Sequence, residues 1–423
     1  SFWFKGGVHS STNTTLFEGN TTNANGFVVQ LQANATLYLY DHGVFQIESI
    51  RRFRDHATWY HCVLAFDTTQ ATDTNRLKVY INGVQEDLST WGVGSGANRY
   101  PDQNDDLDIN QTNEMAIGES GWTGGNDHWD GYIAEFHSVD GTQLTPSSFG
   151  ETNADTGQWI PIKYDGAHGT NGFYLNFSDN SNTTSSTLGA DSSANSNNWT
   201  PTNFSVAAGS GNDSLEDTPT NNFCTLNSLD KGTVSSGHLV YSNGNLQVKA
   251  ASGVWGATRG TFAVSSGKWY WEVKVVSAAS LRPYIGIQES SVRPASNQTE
   301  QSNELGGTST GLVYIVGTPI VRGGANTTGV TTNVPSCSAD DVVGVALDMD
   351  NNKVFFSKNG TWFASQDPAN SSGELVAFSS TMQDTLISPA IQTYNNTSEV
   401  AMNFGQRAFS YTPPTGYQTL CTA

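Results

Sequence analysis

Positive charge is what this sequence has least of. Only 19 of its 423 residues are Lys or Arg, against 39 Asp and Glu, which gives a formal net charge of −20. A nucleic-acid-binding surface neutralises phosphates with clustered cations, and too few are present to assemble one. An anionic membrane would repel the chain for the same reason. Charged residues of both signs reach only 14%, which argues against a disordered polyelectrolyte. Methionine is scarce, with 4 residues, and no stretch repeats apolar residues at helical spacing over a useful length, so helices are not expected. No apolar run is long enough for membrane insertion, and no signal-peptide pattern opens the chain. Ser1 begins directly in a strand pattern without an initiator Met, so a preceding segment is expected. The 4 cysteines, Cys62, Cys224, Cys337 and Cys421, contain no CxxC and no zinc spacing. Cys62 reads as a small buried hydrophobe, whereas Cys224 and Cys421 bracket the second half of the chain and would pair only if its ends meet.

What is abundant is strand and turn chemistry. Glycine contributes 43 residues and aromatics 11%, with many short alternating runs between polar turns. In the first region, 1–162, these runs fall at 27–31, 37–40, 59–66, 77–81, 115–118 and 132–137. Asn82-Gly83 follows the run at 77–81 and signals a tight hairpin. The connecting region, 163–230, holds one strand at 172–177, expected to pack on the first region, and is otherwise rich in Asn, Ser and Thr. In the last region, 231–423, strands are expected at 239–241, 246–250, 269–276, 284–287, 312–316, 342–348, 353–357 and 400–404. Around Trp269, Trp271 and Val273 the intervening Glu272 and Lys274 should face water. The expected fold is all-β, two tandem antiparallel β-sandwiches joined by an Asn/Ser-rich connection.

These residues carry resemblances. Phe2, Trp3 and Phe4, the run 57–66, the run 77–83 and the run 130–136 resemble a laminin-G-like, concanavalin A-like domain, which implies a jelly roll. Residues 267–273, 284–287, 341–348, 354–360, 387–390 and 403–405 resemble, in that order, a SPRY domain. The pairing of the two through 140–151, extended by 169–177, 197–200, 217–222 and 411–417, resembles structural proteins of marine tailed phages. That resemblance implies a virion-surface, extracellular role such as a tail-fibre adhesion protein. Its partners would be a host-surface glycan or protein, other virion proteins and sister subunits in a homo-oligomer, with no nucleic acid bound. A purely structural decoration or assembly subunit of capsid, tail or filament is the alternative, with a polysaccharide depolymerase or a cellular adhesin behind it.

No enzymatic constellation emerges. Retaining glycosidases need two carboxyl groups about 5 Å apart, and Glu135 has His137, not a second carboxylate, beside it on its strand. The GxSxG match at 307–311 precedes a strand, not a helix, and reads as a loop. Asp348 and Asp350 open a calcium-like run that lacks Gly and Glu at the required positions, and read as a turn. The acidic loop holding Asp102, Asp105, Asp106 and Asp108 is either a calcium site, as laminin-G-like modules often have at a sandwich rim, or a solvated loop. Trp122, Asn126, Asp127, His128, Trp129 and Asp130 combine aromatic faces with amides and carboxylates, so they either bind sugar rings or cap the core. Trp255, Arg259, Tyr284 and Trp362 are the corresponding candidates in the SPRY-like region.

Overall fold

The computed structural model describes residues 1–8, 13–19, 26–41, 43–111, 113–120, 127–231, 239–278, 283–292 and 305–423. Among them every regular element is a β-strand or a short 3-10 turn. They divide into two units, 1–206 with 218–220, and 207–217 with 221–423.

In the first unit, alternation of large apolar and polar residues builds two antiparallel sheets. The first has the order Gly131–Ala134, Phe2–Gly6, Tyr60–Phe66, Leu77–Ile81, Val84–Gln85. The second has the order Met115–Ile117, Thr14–Gly19, Phe27–Leu31, Thr36–Asp41, Phe45–Arg52, Gly92–Val93. Phe2, Phe4, Cys62 and Val79 from one, and Leu16, Val29, Leu37, Leu39, Phe45 and Ile47 from the other, form one core. Each buried aliphatic or aromatic side chain there contributes about 1.5–3 kcal/mol relative to exposure. The hairpin after Leu77–Ile81 turns on Asn82 (φ 49°) and Gly83 (φ 80°), as the sequence predicts. A side chain on Gly83 would meet the Trp159 ring at 2.7 Å.

Two expectations change. The run 132–137 is not one strand, because Glu135 adopts φ 51° and breaks it. Its second half, Phe136–Ser138, leaves the sheet and pairs with Phe173–Leu175. The connecting region is also not a separate linker, since 163–206 belongs to the first unit while the strand Leu226–Lys231 belongs to the second. Its polar residues supply order in place of a ladder. The Asp191 carboxylate accepts from the amides of Tyr174 (2.9 Å), Ser193 (2.8 Å) and Asn197 (2.9 Å). Trp199 packs on Phe173 with ring centroids 4.8 Å apart.

The second unit stacks two seven-stranded antiparallel sheets. One has the order Leu226–Lys231, Trp255–Gly260, Ile387–Tyr394, Tyr284–Glu289, Gly311–Ile315, Ile320–Gly323, Asn326–Val330. The other has the order Leu239–Ser242, Gln247–Ala250, Ser398–Asn403, Lys268–Ala278, Val342–Asp348, Lys353–Lys358, Thr361–Trp362. Tyr314 from the first meets Phe356 from the second at 6.2 Å, and Trp271, Val273, Ile285, Ile287 and Val345 are fully buried. Glu272 does alternate away from Trp271, but it is buried rather than wet. Its carboxylate accepts from Tyr270 Oη (3.1 Å) and from the amides of Ser410 (2.7 Å) and Tyr411 (2.8 Å).

The ends of this unit meet. Phe223 bridges Cys421, the Cys224 amide donates to the Leu420 carbonyl (3.0 Å), and the Thr422 amide donates to the Asn222 carbonyl (3.0 Å). Cys224 and Cys421 are nevertheless not joined by a disulfide. Cys224 is fully buried with its sulfur near Thr261, whereas Cys421 is part-exposed with its sulfur near Thr419 Oγ1.

Candidate functional site

The two outer faces of the first unit differ. On the five-stranded sheet, Val63, Ala65 and Tyr80 point outward and are covered by Phe149, with Val139, Leu144 and Tyr164 packed around them. Trp159 lies beside His61 and donates its indole N–H to His61 Nδ1 (2.9 Å). That bond fixes the neutral His61 tautomer with the proton on Nε2, which faces Ser1 Oγ at 2.9 Å.

The outer face of the six-stranded sheet carries no such apolar cover among the described residues. Since Leu37, Leu39, Phe45 and Ile47 point into the core, their neighbours point out. Strand register aligns them in two rows, Thr15, Gln30, Tyr38 and Glu48, then Glu18, Val28, Tyr40 and Gln46. Val28, Tyr38, Tyr40, Gln46 and Glu48 are half-buried, whereas Thr15, Glu18 and Gln30 lie deeper. The Tyr38 and Tyr40 rings stack at 6.0 Å and 21°. Gln30 Nε2 donates to Thr15 Oγ1 (3.2 Å), and Gln32 Nε2 donates to Gln30 Oε1 (3.1 Å). The Glu48 carboxylate accepts from Thr36 Oγ1 and from Asn34 Nδ2 (3.1 Å).

The electrostatics of this face are negative. Burial first, then Tyr40 and Glu48, push the Tyr38 hydroxyl up to about 12, so it stays a neutral donor. Burial, Asp41 and Glu18 raise Tyr40 likewise. Glu18 and Glu48 stand on strands three spacings apart, about 14 Å. That exceeds the roughly 5–9.5 Å that glycoside hydrolysis by a carboxylate pair requires. The face offers ring stacking and hydroxyl hydrogen bonding, and Glu18 and Glu48 are too far apart to act together as a hydrolytic pair.

Of the sequence candidates, Trp122 and Asn126 lie outside the described residues. Asp127 reaches the face, with its carboxylate 3.5 Å from Gln30 Nε2 and its carbonyl accepting from the Thr15 amide (2.9 Å). His128 is exposed. Trp129 packs on the core, edge-on to Phe4 at 6.0 Å, and the Asp130 carbonyl accepts from the Gly7 amide (2.8 Å). In the second unit, Arg259 is buried, held by Asp230 (2.6 Å) and the carbonyls of Glu289, Ser290 and Val292. Trp255 and Tyr284 share a hydrophobic cluster with Val313 and Ile315. Trp362 packs against Tyr270 and Phe355. Arg259 and Tyr284 are buried, whereas Trp255 and Trp362 are half-buried.

The acidic loop is not assembled as a carboxylate cage. Asp102 and Asp106 are exposed, the Asp105 carboxylate accepts from the Asp102 amide, and the Asp108 amide donates to Asp41 Oδ2 (3.1 Å). Among the described residues no three His, Cys, Asp or Glu side chains converge to hold a metal. Asp41, which sequence reasoning passed over, is buried, and burial, then Asp108 and Asp105, raise its carboxyl to about 6.

Glu135 and His137 join a second polar cluster. His137 Nδ1 lies 3.1 Å from His168 Nε2, its ring stacks on Tyr174 at 4.0 Å, and Tyr174 donates to Glu135. Burial above all, then neighbouring positive charge, lowers His137 to about 2, and burial lowers His61 to about 3.

The sheet face escaped sequence reasoning because its residues come from four strands. The available signal was the alternation of Tyr38 and Tyr40 with Leu37 and Leu39, and of Gln30 with Val29 and Leu31.

Residues 1–148 match the concanavalin A-like lectin/glucanases superfamily, and residues 268–407 match the SPRY domain. Similar solved structures include the SPRY domain of human HERC1, 17% identical, with 43% of this chain and 99% of that chain covered at a TM-score of 0.32. A second human SPRY domain is 16% identical, with 40% and 98% covered at a TM-score of 0.29. No curated protein matches the chain.

Proposed function

From a chain that carries a concanavalin A-like domain followed by a SPRY domain, we propose an adhesion protein of a virion surface, tail fibre or similar, that binds a host-surface glycan without turnover. Both domain types suggest binding. The observation that carries the reading is the outer sheet face, without apolar cover among the described residues, where stacked Tyr38 and Tyr40 stand beside Gln46 and Glu48. Sugar rings stack on aromatic faces, and amides and carboxylates fix their hydroxyls. Repeated copies in a homo-oligomer turn weak contacts into avidity. The virion setting is supported by the resemblance of the domain pairing and its connections to tailed-phage structural proteins.

A glycan-array assay on the full chain, with and without chelator, tests this. Specific binding lost in Tyr40→Ala, with unchanged melting, is the expected result; silence across arrays from candidate hosts refutes it. An assembly role has one observation of its own. Ile50 and Val84 are exposed, and Arg51 bonds Glu86 at 2.7 Å between their strands. Light scattering on Ile50→Asp tests that role, and an unchanged mass removes it.

A further inference from the structure

The glycan reading leaves the chemistry of the glycan open, and the charge of the face narrows it. We infer that the outer face of the six-stranded sheet takes a polysaccharide without acidic substituents, bound more tightly when it carries free amino groups. This rests on the adhesion reading and adds to it the ligand's charge class.

Two part-exposed carboxylates, Glu48 and Asp127, belong to the face or its edge, and Glu18 is buried at its far end. Glu18, the buried end of the row of Tyr40, helps raise that hydroxyl. Glu48 ends the row of Tyr38 and acts on that hydroxyl. Asp127 stands at Gln30. Neither row contains a lysine or arginine. Arg52, on the same strand as Glu48, pairs with Thr36 one row further on, and its guanidinium donates to the Asn34 carbonyl (3.0 Å). A sulfate or uronate laid across Tyr38 and Tyr40 would meet the half-buried Glu48 carboxylate, and neither row offers a lysine or arginine to pair with it. Partial burial would weaken solvent screening of that repulsion. The net charge of −20 repels polyanions at longer range as well. An ammonium group on the sugar meets the opposite field. Gln46 offers both a donor and an acceptor, which suits hydroxyls of either orientation. The part-exposed stretch of the Tyr40 row, Val28, Tyr40 and Gln46, spans three strands, about 10 Å, so the face has room for more than a single sugar.

The experiment titrates the full chain with three probes, a neutral mannan, chitosan oligosaccharides and alginate oligosaccharides, at low and high salt. Chitosan should bind most tightly, mannan less tightly, and alginate not at all. Salt should reduce only the chitosan advantage. Glu48→Gln keeps the side-chain shape and should lower the chitosan-to-mannan preference by about three- to fivefold, as for one exposed charge pair. Tyr40→Ala and Gln46→Ala should each weaken both ligands at least tenfold. Alginate binding that disappears in Tyr40→Ala overturns the charge assignment and leaves the adhesion reading standing. Binding that survives both Tyr40→Ala and Gln46→Ala overturns the siting. Failure of all three probes overturns the assignment together with the reading beneath it.

Discussion

Acidification should destabilise the first unit through its buried histidines, and His137 gives the cleanest measurement. In the unfolded chain a histidine titrates near about 6.5. In the fold, burial first, then neighbouring positive charge that includes His168 and His61, lowers His137 to about 2. The folded state therefore stays neutral at pH 5 while the unfolded state takes up a proton. Stability is full well above pH 6.5 and is lost progressively as pH falls below it. At pH 5 the loss for one such residue is RT ln(1 + 10^1.5), about 2 kcal/mol. His61, lowered to about 3, contributes a similar loss. Asp41, raised to about 6, acts in the opposite sense, because the fold retains its proton while the unfolded chain releases it. The total slope is thus a compromise, and the informative quantity is the difference between the parent and His137→Phe, which keeps an aromatic ring against Tyr174. Calorimetry of both proteins at pH 7.5 and pH 5 reads it. The parent should lose about 2 kcal/mol more than the variant, about 4–8 °C in Tm for a unit of this size. Parallel pH profiles would refute the claim that His137 is held neutral by its surroundings.

Other outcomes follow from single contacts. Glu272→Ala strands the Tyr270 hydroxyl and the Ser410 and Tyr411 amides, and should cost about 2–3 kcal/mol in urea unfolding while making 408–411 sensitive to protease. Arg259→Lys gives up the fork that holds three carbonyls and Asp230, and should lower the midpoint of the second unit by about 2 kcal/mol or more. Reductant should leave Tm unchanged, and Cys421 should react with a thiol probe before Cys62, Cys224 and Cys337, which are buried. Chelation should shift the first unit's Tm by less than about 1 °C, since the described carboxylates do not converge.

What the sequence made legible was whatever is written with a two-residue period on one strand. Phe27–Leu31, Leu77–Ile81 and Val342–Asp348 fall where alternation and turns put them. Thr14–Gly19 and Trp255–Gly260 were missed because threonine and glycine dilute their apolar pattern. The buried state of Glu272 was illegible because the cover comes from residues more than a hundred positions away. Arg259 looked like a rim ligand because a lone arginine near a tryptophan carries no sign of the three carbonyls that await it. The sheet face combines side chains whose neighbourhood exists only after four strands register.

The meeting of 222–224 with 420–422 also has a mechanical side. A load that separates the two ends of the second unit acts on antiparallel segments that leave from one place. Such segments peel, one hydrogen bond at a time, instead of shearing all at once. Of these contacts, Asn222–Thr422 would open before Cys224–Leu420. On the proposed adhesion role, that stretch of chain would work as a reversible shock absorber.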